Sequence, residues 1–523
     1  MKLTCKEIWL KNVEFYGNKL AIVDEERRFT YSELNDRANR LYWALKERGV
    51  QRGDRVAIWG YNCVEYLDLR LCCEKFGFVG VPINWRSSVD TIHYILKDSE
   101  AKALLINADF VDQLRSILED LEDLIVFVFG IQDSPTVGES YEKVLLSSEN
   151  KEPDEEGPSD DDLVYIIYTG GTTGRPKGVM FHEKMQLEEG KGHIYTLNLD
   201  ANDVALNIMP WFHSGGHALS SAVAYAGGTN VILPKFEVKK TLELIEKEKV
   251  TVVQMVPTMI AMLLEDPEID RYNLQSLRTI MYVGAPMPES LLKKAMERFG
   301  KNRFLQSYGL TEFGPLATRL SPQDHVLAIA PEASEKERSR LKSVGLPVYY
   351  VWLRILDGEG NPLPKGQAGE IALRGETMTK GYWKKPELTQ QKIKNGWLLT
   401  GDIGYVDEDG YLYLLDRKDD MIITGGENVY PSRVEEILCS HPAVKEAAVV
   451  GLPDEKWGEK VVAAVSLWPN ASVTEEELIE YCKGRLAGYE RPKAVFIFPE
   501  LPKSSAGKIL RREVRENLKK MQS

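Results

Sequence analysis

A glycine- and hydroxyl-rich stretch, Tyr168 to Met180, has the composition of a polyphosphate-binding loop. It reads YTGGTTGRPKGVM and directly follows the apolar run from Leu163 to Ile167. Glycine accepts backbone angles that other residues resist, so consecutive N–H groups can turn inward as an anion-binding nest. The alternative is a flexible surface loop, but such loops rarely have a strand, glycines, hydroxyls and a lysine in this order. The candidate phosphate-binding residues are Thr169, Gly170, Gly171, Thr172, Thr173, Gly174 and Lys177.

Two further motifs combine glycine with groups that suit a nucleotide. Gly284, Ala285 and Pro286 follow the apolar strand 279–283, where a glycine lets the backbone approach a flat ligand. Residues 306–314 read QSYGLTEFG. In this motif an aromatic ring can cover an adenine, a threonine can donate to phosphate, and a glutamate can hold a hard cation such as Mg²⁺. Its candidate nucleotide-binding residues are Gln306, Ser307, Tyr308, Gly309 and Thr311, and Glu312 is its candidate metal ligand.

The C-terminal part of the chain carries further candidate positions. Asp402 ends an apolar run, where its carboxylate can accept from two ribose hydroxyls. Gly425 and Gly426, in GGENVYP, offer a flat strand surface beside which a thin ligand chain could run. Lys508 lies in the glycine-containing loop PKSSAGKIL, a position at which a lysine is usually plain surface.

Together these motifs resemble the signature of the adenylate-forming superfamily: acyl-CoA synthetases, peptide-synthetase adenylation domains and beetle luciferases. The resemblance covers essentially the whole chain, and about seven motifs occur in the family's order. The loop is not a Walker A loop, because Lys177 is followed by Gly178 where Ser or Thr would hold the metal. The family usually has Ser where this chain has Gly171, so the nest survives without one hydroxyl contact to phosphate.

The resemblance implies a nucleotide-binding role for each matched position, with ATP and CoA as substrates and Mg²⁺ as the metal. Tyr308 would cover the adenine, Thr311 would touch the α-phosphate, and Glu312 would hold Mg²⁺. Asp402 and Arg417 would bind the ribose.

The resemblance also implies a mobile C-terminal domain. Asp419 would be the hinge about which this domain rotates, and Gly425 and Gly426 would line the tunnel for the CoA thiol. Lys508 would neutralise charge on the transferring α-phosphate. The candidate catalytic residues are therefore Lys508, Thr311, Glu312 and His213.

The segment PWFHSGGH, residues 210–217, lies where the family's acyl-substrate wall begins. Amino-acid-activating relatives carry an Asp at the position of His213, so this chain is not expected to activate an amino acid. His213 is either a satisfied structural residue or a substrate-side one. No buried cation is evident, which favours an apolar monocarboxylate: a medium-chain fatty, branched, alicyclic or aromatic acid. The expected walls of the acyl pocket are Trp211, His213, Val256, Pro257, Val283 and Phe313.

Composition restricts the partners and the compartment. The net charge of -13 argues against nucleic acid as a main partner. The six cysteines form no C-x-x-C pair and no zinc spacing, as expected for reduced, mostly buried thiols of a cytoplasmic protein. The N-terminus has no apolar signal region, and the charge-free run 217–234 fits a buried helix and strand better than a membrane span. A small-molecule carboxylic acid is the expected partner, and a homodimer is possible.

The pattern of apolar runs predicts an α/β fold. Strands at 56–59, 80–83, 103–106 and 125–128 alternate with helices at 63–76, 88–98 and 110–120, which implies a parallel sheet covered on both faces. The acidic stretch 151–162 is expected to be a solvated linker. We predict a large N-terminal adenylation domain, 1–416, with parallel-rich sheets and a β-rich subdomain from about 344. A small mobile α+β domain, 417–523, follows it.

The resemblance favours an AMP-forming acid–CoA ligase, and three alternatives stay open. A free-standing adenylating enzyme could load a separate acyl carrier protein, and assaying CoA against such a carrier would separate the two. A light-emitting oxygenase would be revealed by luminescence in air. A catalytically dead nucleotide sensor or scaffold would release no pyrophosphate when an acid is added.

Overall fold

The computed structural model describes residues 3–121, 123–131, 135–171, 174–285, 287–503 and 509–522. The chain divides into two compact units. The first comprises residues 1–353 and 373–398, and the second comprises residues 354–372 and 399–523. None of the helices in the described ranges combines the length and the hydropathy of a bilayer-spanning segment.

Helices and strands alternate along the first part of the chain, as the apolar runs predict. In chain order they are α1 Cys5–Tyr16, β1 Leu20–Asp24, β2 Arg27–Thr30, α2 Tyr31–Glu47, β3 Arg55–Trp59, α3 Val64–Phe76, β4 Val79–Ile83, α4 Val89–Ser99, β5 Ala101–Asn107, α5 Val111–Arg115, β6 Ile125–Phe129, β7 Glu139–Ser140, α6 Tyr141–Ser147, β8 Leu163–Gly171, β9 Gly174–His182, α7 Glu183–Leu197, β10 Val204–Asn207 and α8 Ser214–Tyr225.

The alternation continues to residue 347 and then gives way to shorter strands. The elements are β11 Thr229–Ile232, α9 Val238–Lys247, β12 Val252–Met255, α10 Pro257–Glu265, β13 Thr279–Tyr282, α11 Glu289–Phe299, β14 Phe304–Tyr308, β15 Thr318–Leu320, α12 Pro322–Ile329, α13 Glu335–Ser339, β16 Leu346–Pro347, β17 Trp352–Leu356, β18 Gly369–Arg374, α14 Pro386–Lys392, β19 Ile393–Lys394, β20 Trp397–Val406, β21 Leu412–Arg417, β22 Ile422–Thr424, β23 Glu427–Val429, α15 Pro431–Cys439, β24 Val444–Asp454, β25 Gly458–Leu467, α16 Glu475–Tyr481, β26 Ala494–Ile497 and α17 Arg511–Gln522.

Two large sheets form the first unit. One has nine strands in the order β16-β15-β14-β13-β12-β10-β11-β1-β2, and the other has seven in the order β7-β6-β5-β3-β4-β8-β9. The strands from β14 to β1 run parallel, and so do those from β7 to β8. Helices α3 and α8 are almost wholly buried, and α7 is mostly buried. The predicted parallel sheets covered by helices are confirmed.

Local sequence signals start and stop the helices where the structure has them. Thr30 caps α2, and its hydroxyl and the Glu33 carboxylate satisfy each other's backbone N–H groups. Gly77 ends α3 in the left-handed region, at φ 79°, which a glycine adopts without steric cost. The expected helix at 63–76 is confirmed to within one residue.

The second unit contains a small α+β fold. Its sheet has the order β23-β22-β25-β24, with β26 parallel to β25, and α15, α16 and α17 accompany it. A further sheet, built from residues 352–417 and not confined to the second unit, has the order β17-β18-β20-β19, with β21 on β20. The β-rich texture expected from about residue 344, and the α+β texture after 417, are both confirmed.

Two expectations about the N-terminal part are wrong. The helix predicted over 110–120 is broken: α5 ends at Arg115, and the Ser116 hydroxyl donates to the Gln113 carbonyl, an alternative to continuing the helix. The stretch 151–162 is not simply a solvated linker, because the Glu152 carboxylate lies 2.9 Å from Nζ of the fully buried Lys75. A buried ammonium needs such a partner.

Candidate active site

The phosphate-loop candidate is the tip of a hairpin. Strands β8 and β9 pair antiparallel, with Thr169 opposite Lys177 and Gly171 opposite Gly174. Gly170 is exposed and has open space where a side chain would be. Thr172 and Thr173 lie outside the described residues. The strand that precedes the loop is as predicted, but the second half of the motif is itself a strand.

The adenine and acyl candidates come together because their strands are parallel neighbours. Strands β12, β13 and β14 are adjacent, so their carboxyl ends meet at one edge of the nine-stranded sheet, where α/β proteins bind ligands. Val256 and Pro257 follow β12, Val283, Gly284 and Ala285 follow β13, and Gly309 follows β14. Gln306 and Ser307 are buried in β14, Tyr308 is half-buried at its end, and Pro286 lies outside the described residues.

Gly309 makes a turn that no larger residue could make. A Cβ at this position would lie 2.4 Å from the backbone carbonyl carbon of Pro315. Such an approach is impossible without moving backbone, because the interior is close-packed. The turn leads directly to Thr311 and Glu312, so the glycine in QSYGLTEFG sets the position of the two polar side chains that follow it.

Thr311 faces the start of a buried helix. Its Oγ1 lies 3.0 Å from Oγ of Ser214, the first residue of α8. The N–H groups at a helix start favour negative charge, and two hydroxyls beside them add donors. This arrangement suits an anionic oxygen, as expected for the contact of Thr311 with a phosphate.

The Glu312 carboxylate is held by two side chains. Tyr382 donates its hydroxyl to Glu312 Oε1 at 2.8 Å, and Lys177 Nζ lies 3.4 Å from the same oxygen. Lys177 also lies over the Tyr382 ring, 4.6 Å from its centre. Burial, and secondly the negative charge of Glu312, raise the pKa of Tyr382, which keeps its hydroxyl protonated as the donor. A lysine of the phosphate loop and the candidate metal ligand are therefore neighbours.

The segment 379–383 fastens the hairpin to the turn that carries Glu312. The Thr379 N–H donates to the Glu312 carbonyl, and the N–H of Met180 donates to the Gly381 carbonyl. The N–H of Trp383 donates to the Gly178 carbonyl. Backbone bonds on both sides thus fix the separation of the phosphate-loop and Glu312 motifs.

The expected acyl walls differ in burial. Trp211 and Phe313 are fully buried, and Pro257 is the buried first residue of α10. Val256, Val283 and His213 are half-buried, so they are the wall candidates with accessible surface. His213 caps α8, its carbonyl accepts from the His217 N–H, and its ring lies 4.5 Å from the Phe212 ring.

The premise of no buried cation is wrong. Arg70, on α3, is only 2% exposed, and its guanidinium lies 5.6 Å from the centre of the Trp211 ring. Nothing in the sequence around 70 reveals it, because α3 is buried all round, so no change from a polar to an apolar face marks where Arg70 points.

The ribose candidates lie together in the second unit. Asp402 in β20 is opposite Arg417 in β21, and Arg417 Nε lies 2.7 Å from the Asp402 carboxylate. Asp402 is 6% exposed, whereas the Arg417 side chain is 56% exposed. A buried carboxylate next to an accessible guanidinium offers an acceptor and a donor to one diol.

The remaining candidates of the second unit lie in turns. Asp419 lies in the turn between β21 and β22, and Gly425 and Gly426 lie in the exposed turn between β22 and β23. Both glycines have positive φ, and a Cβ at Gly425 would lie 2.9 Å from the Trp457 ring. Lys508 lies outside the described residues, and the described residues Lys503 and Ile509 pair with each other.

Ser214 and Tyr382 belong to this site but were not predicted as site residues from the sequence. Ser214 follows His213. A hydroxyl residue at a predicted helix start is a recognisable sequence signal, so Ser214 was predictable. Tyr382 carried no local signal, because it lies 70 residues from Glu312 in the chain.

Comparison with known proteins identifies the family. The model described as "AMP-binding enzyme" matches residues 9–383, and "AMP-binding enzyme C-terminal domain" matches residues 433–508. The chain belongs to the AMP-binding enzyme family. The N-terminal match of this AMP-binding enzyme ends at Trp383 and so includes the hairpin, the Glu312 turn and Tyr382.

The similar proteins span nearly the whole AMP-binding chain. The fatty acid–[acyl-carrier-protein] ligase ScoC of Streptomyces coeruleorubidus is 34% identical, over 95% of this chain and 93% of that protein. The 2-succinylbenzoate–CoA ligase of Bacillus cereus is 34% identical, over 98% of this chain and 99% of that protein. The o-succinylbenzoate CoA synthetase MenE of Bacillus subtilis, solved with its acyl-adenylate intermediate OSB-AMP, superposes with a TM-score of 0.84 at 30% identity, over 97% of both chains.

Proposed function

We propose that this AMP-binding enzyme is an ATP-dependent acid–CoA ligase. A carboxylate and ATP would give acyl-AMP and pyrophosphate, and acyl-AMP and CoA would then give acyl-CoA and AMP. The observation that carries the proposal is the arrangement of Lys177, Glu312 and Thr311 around one edge of the nine-stranded sheet, in a chain similar to CoA ligases over nearly its full length.

The first step converts a poor electrophile into a good one. A carboxylate oxygen would attack the α-phosphorus, and the bond to the bridging oxygen would break to release pyrophosphate. Lys177 and the loop N–H groups would hold the phosphate tail, and Thr311 with Ser214 would donate to the α-phosphate. Tyr308, with Gly284 and Ala285, would bind the adenine, and Asp402 and Arg417 the ribose.

Mg²⁺ would be held by Glu312. Among the residues that the structure describes, no group of three or more His, Cys, Asp or Glu could hold a metal ion. Magnesium in nucleotide sites is usually held by one or two carboxylates plus the substrate phosphates, and a single half-buried carboxylate beside the phosphate loop fits that pattern. The bound ion would neutralise phosphate charge.

The second step needs a thiol at the acyl carbon. The thiol sulfur would attack, the bond from acyl carbon to phosphate oxygen would break, and AMP would leave with the former carboxylate oxygen. Gly425 and Gly426 would line the thiol's path after the domain 417–523 rotates about Asp419. The same rotation would withdraw Lys508 from the α-phosphate.

The test measures pyrophosphate release with each of a panel of monocarboxylic acids. The thioester products are then analysed with CoA or a phosphopantetheinylated carrier protein as the thiol acceptor. We expect release that depends on an acid, and an acyl thioester on CoA. Release with no acid dependence would overturn the proposal.

A carrier-protein ligase is the second candidate, because one of the similar proteins is a fatty acid–[acyl-carrier-protein] ligase. A phosphopantetheinylated carrier offered beside CoA separates the two readings. Acylation of the carrier with none of CoA would favour this second candidate over the first.

A further inference from the structure

A small cavity lies between helix α3, strands β3 and β4, and helix α8. Its polar lining includes Tyr66 and Arg70 on α3 and His217 on α8, with Tyr165 on strand β8. Tyr66 is 6% exposed and Arg70 is 2% exposed. The other lining residues are Ile58, Leu69, Gly80 and Pro82.

Donors around this cavity have no partner among the described residues. Arg70 uses only Nη2, which lies 3.2 Å from His217 Nδ1, while Nε and Nη1 are unpaired. The Tyr66 hydroxyl is also unpaired. Each buried donor left without an acceptor costs about 1–3 kcal/mol, so several around one space require an explanation.

The surrounding groups hold these donors in place. Burial, and secondly the charge of Arg70, lower the pKa of His217, so its neutral ring accepts from Arg70 at Nδ1 and donates from Nε2 to Gln186 Oε1 at 3.0 Å. The nearby Glu74 carboxylate accepts from Trp9 and Tyr165, not from Arg70. Arg70 interacts electrostatically with the buried Glu74 and Glu189 carboxylates, but neither accepts a hydrogen bond from its Nε or Nη1.

The cavity adjoins the expected acyl wall. The Trp211 ring lies against both the Arg70 guanidinium and the Tyr66 ring, whose centre is 5.9 Å away. His217 follows Ser214 by three residues, which is about 4.5 Å along the helix. Since Ser214 contacts Thr311 and His217 contacts Arg70, helix α8 links the proposed point of adenylation to the cavity.

We propose that Arg70 and Tyr66 form a specificity pocket for an oxygen acceptor at the far end of the acyl group. The inference rests on the proposed function and names its substrate class: acids with a remote carbonyl or carboxylate oxygen rather than plain hydrocarbon acids. Such an oxygen would accept hydrogen bonds from donors that the fold leaves unpaired, whereas an alkyl end of the substrate would leave these donors without an acceptor.

The test compares matched acids in the wild type and in Tyr66→Phe. Hexanoate, octanoate and decanoate are measured beside their terminal methyl-ketone analogues and beside adipate, suberate and sebacate, by the kcat/KM of pyrophosphate release. We expect the wild type to prefer an oxygenated acid of one length over its hydrocarbon match by about tenfold or more. Tyr66→Phe is expected to reduce that preference about three- to tenfold, with hydrocarbon acids unaffected.

Folding controls keep the result interpretable. The Tyr66 hydroxyl has no partner among the residues that the structure describes, so Tyr66→Phe is expected to keep or raise the melting temperature. Tyr31→Phe is the matched control, because the buried Tyr31 hydroxyl donates to the Ala224 and Gly228 carbonyls, so its loss should lower the melting temperature. Arg70→Met is expected to abolish the preference, because it removes the unpaired guanidinium donors.

Equal kcat/KM values with oxygenated and hydrocarbon acids in the wild type would overturn the proposed pocket. An equal fall of kcat/KM for both kinds of acid in Tyr66→Phe would overturn it as well. No release with any acid would instead overturn the proposed function, so the two failures are distinguishable.

Discussion

At the scale of single residues, the site depends on side chains that fix a carboxylate. Glu312 is positioned by the Tyr382 hydroxyl and by Lys177, and the aromatic ring of Tyr382 also contacts the lysine. One tyrosine thereby orients both the candidate metal ligand and the candidate phosphate-binding cation. Removing a group that orients a metal ligand typically lowers metal affinity or activity by about 10–100-fold.

Tyr382→Phe tests this role of the hydroxyl. We expect the Mg²⁺ concentration for half-maximal ATP–pyrophosphate exchange to rise about tenfold, because the carboxylate loses the donor that orients it. Tyr349→Phe, at an exposed ring, is the control. An unchanged magnesium dependence in Tyr382→Phe would contradict the role.

At the scale of elements, sequence patterns predicted strands and helix starts, which depend on neighbouring residues. They did not predict contacts between residues far apart in the chain. Strands β3, β4, β5 and β6 lie where short apolar runs occur, and capping residues mark α2. The helix expected over 110–120 broke because its polar residues offered competing bonds. Glu152 is paired to Lys75, 77 residues away, so no local rule could show that 151–162 is anchored.

The residues of the candidate site also fall into two groups: those in short local motifs, which the sequence predicts, and those with distant partners, which it does not. The motifs at Thr311 and Glu312 were readable because each packs its chemistry into a few consecutive residues. Tyr382 and Arg70 were not, because their partners come from other elements. A buried cation such as Arg70 therefore leaves no local sign in the sequence.

The start of α7 carries a titrating group. Burial, together with the neighbouring Glu74 charge, raises the pKa of Glu183 to about 7, although the Cys5 N–H donates to it. A carboxyl whose folded pKa is raised binds protons more tightly when folded, so stability falls as pH rises. The loss begins near the unfolded pKa, about 4.5, and is complete above about 7.

Glu183→Gln is expected to flatten this part of the stability profile. Wild type should lose roughly 3 kcal/mol of its free energy of unfolding, relative to Glu183→Gln, between pH 4.5 and pH 8. Denaturant unfolding at several pH values measures the difference, with Glu188→Gln as the control because Glu188 is paired to Lys191. Parallel profiles of wild type and Glu183→Gln would contradict the assignment.

At the scale of the whole molecule, two chemically distinct steps share one nucleotide site. We propose that the C-terminal domain alternates, with Lys508 serving adenylation only. Lys508→Ala is then expected to slow acyl-AMP formation about 10²–10³-fold, because a positioned charge at the transferring phosphate is lost. Thioester formation from supplied acyl-AMP should stay near the wild-type rate. Equal losses in both half-reactions would refute this division.

The central claim is that the acid is activated as an adenylate, and the fate of its oxygen tests this most directly. The enzyme is supplied with ATP, CoA and an accepted acid whose carboxylate oxygens carry a heavy isotope, and the products are analysed by mass spectrometry. The account predicts one labelled oxygen in the phosphate of AMP, because the thiol expels AMP with the former carboxylate oxygen. Labelled inorganic phosphate together with ADP, or AMP without label, would contradict it.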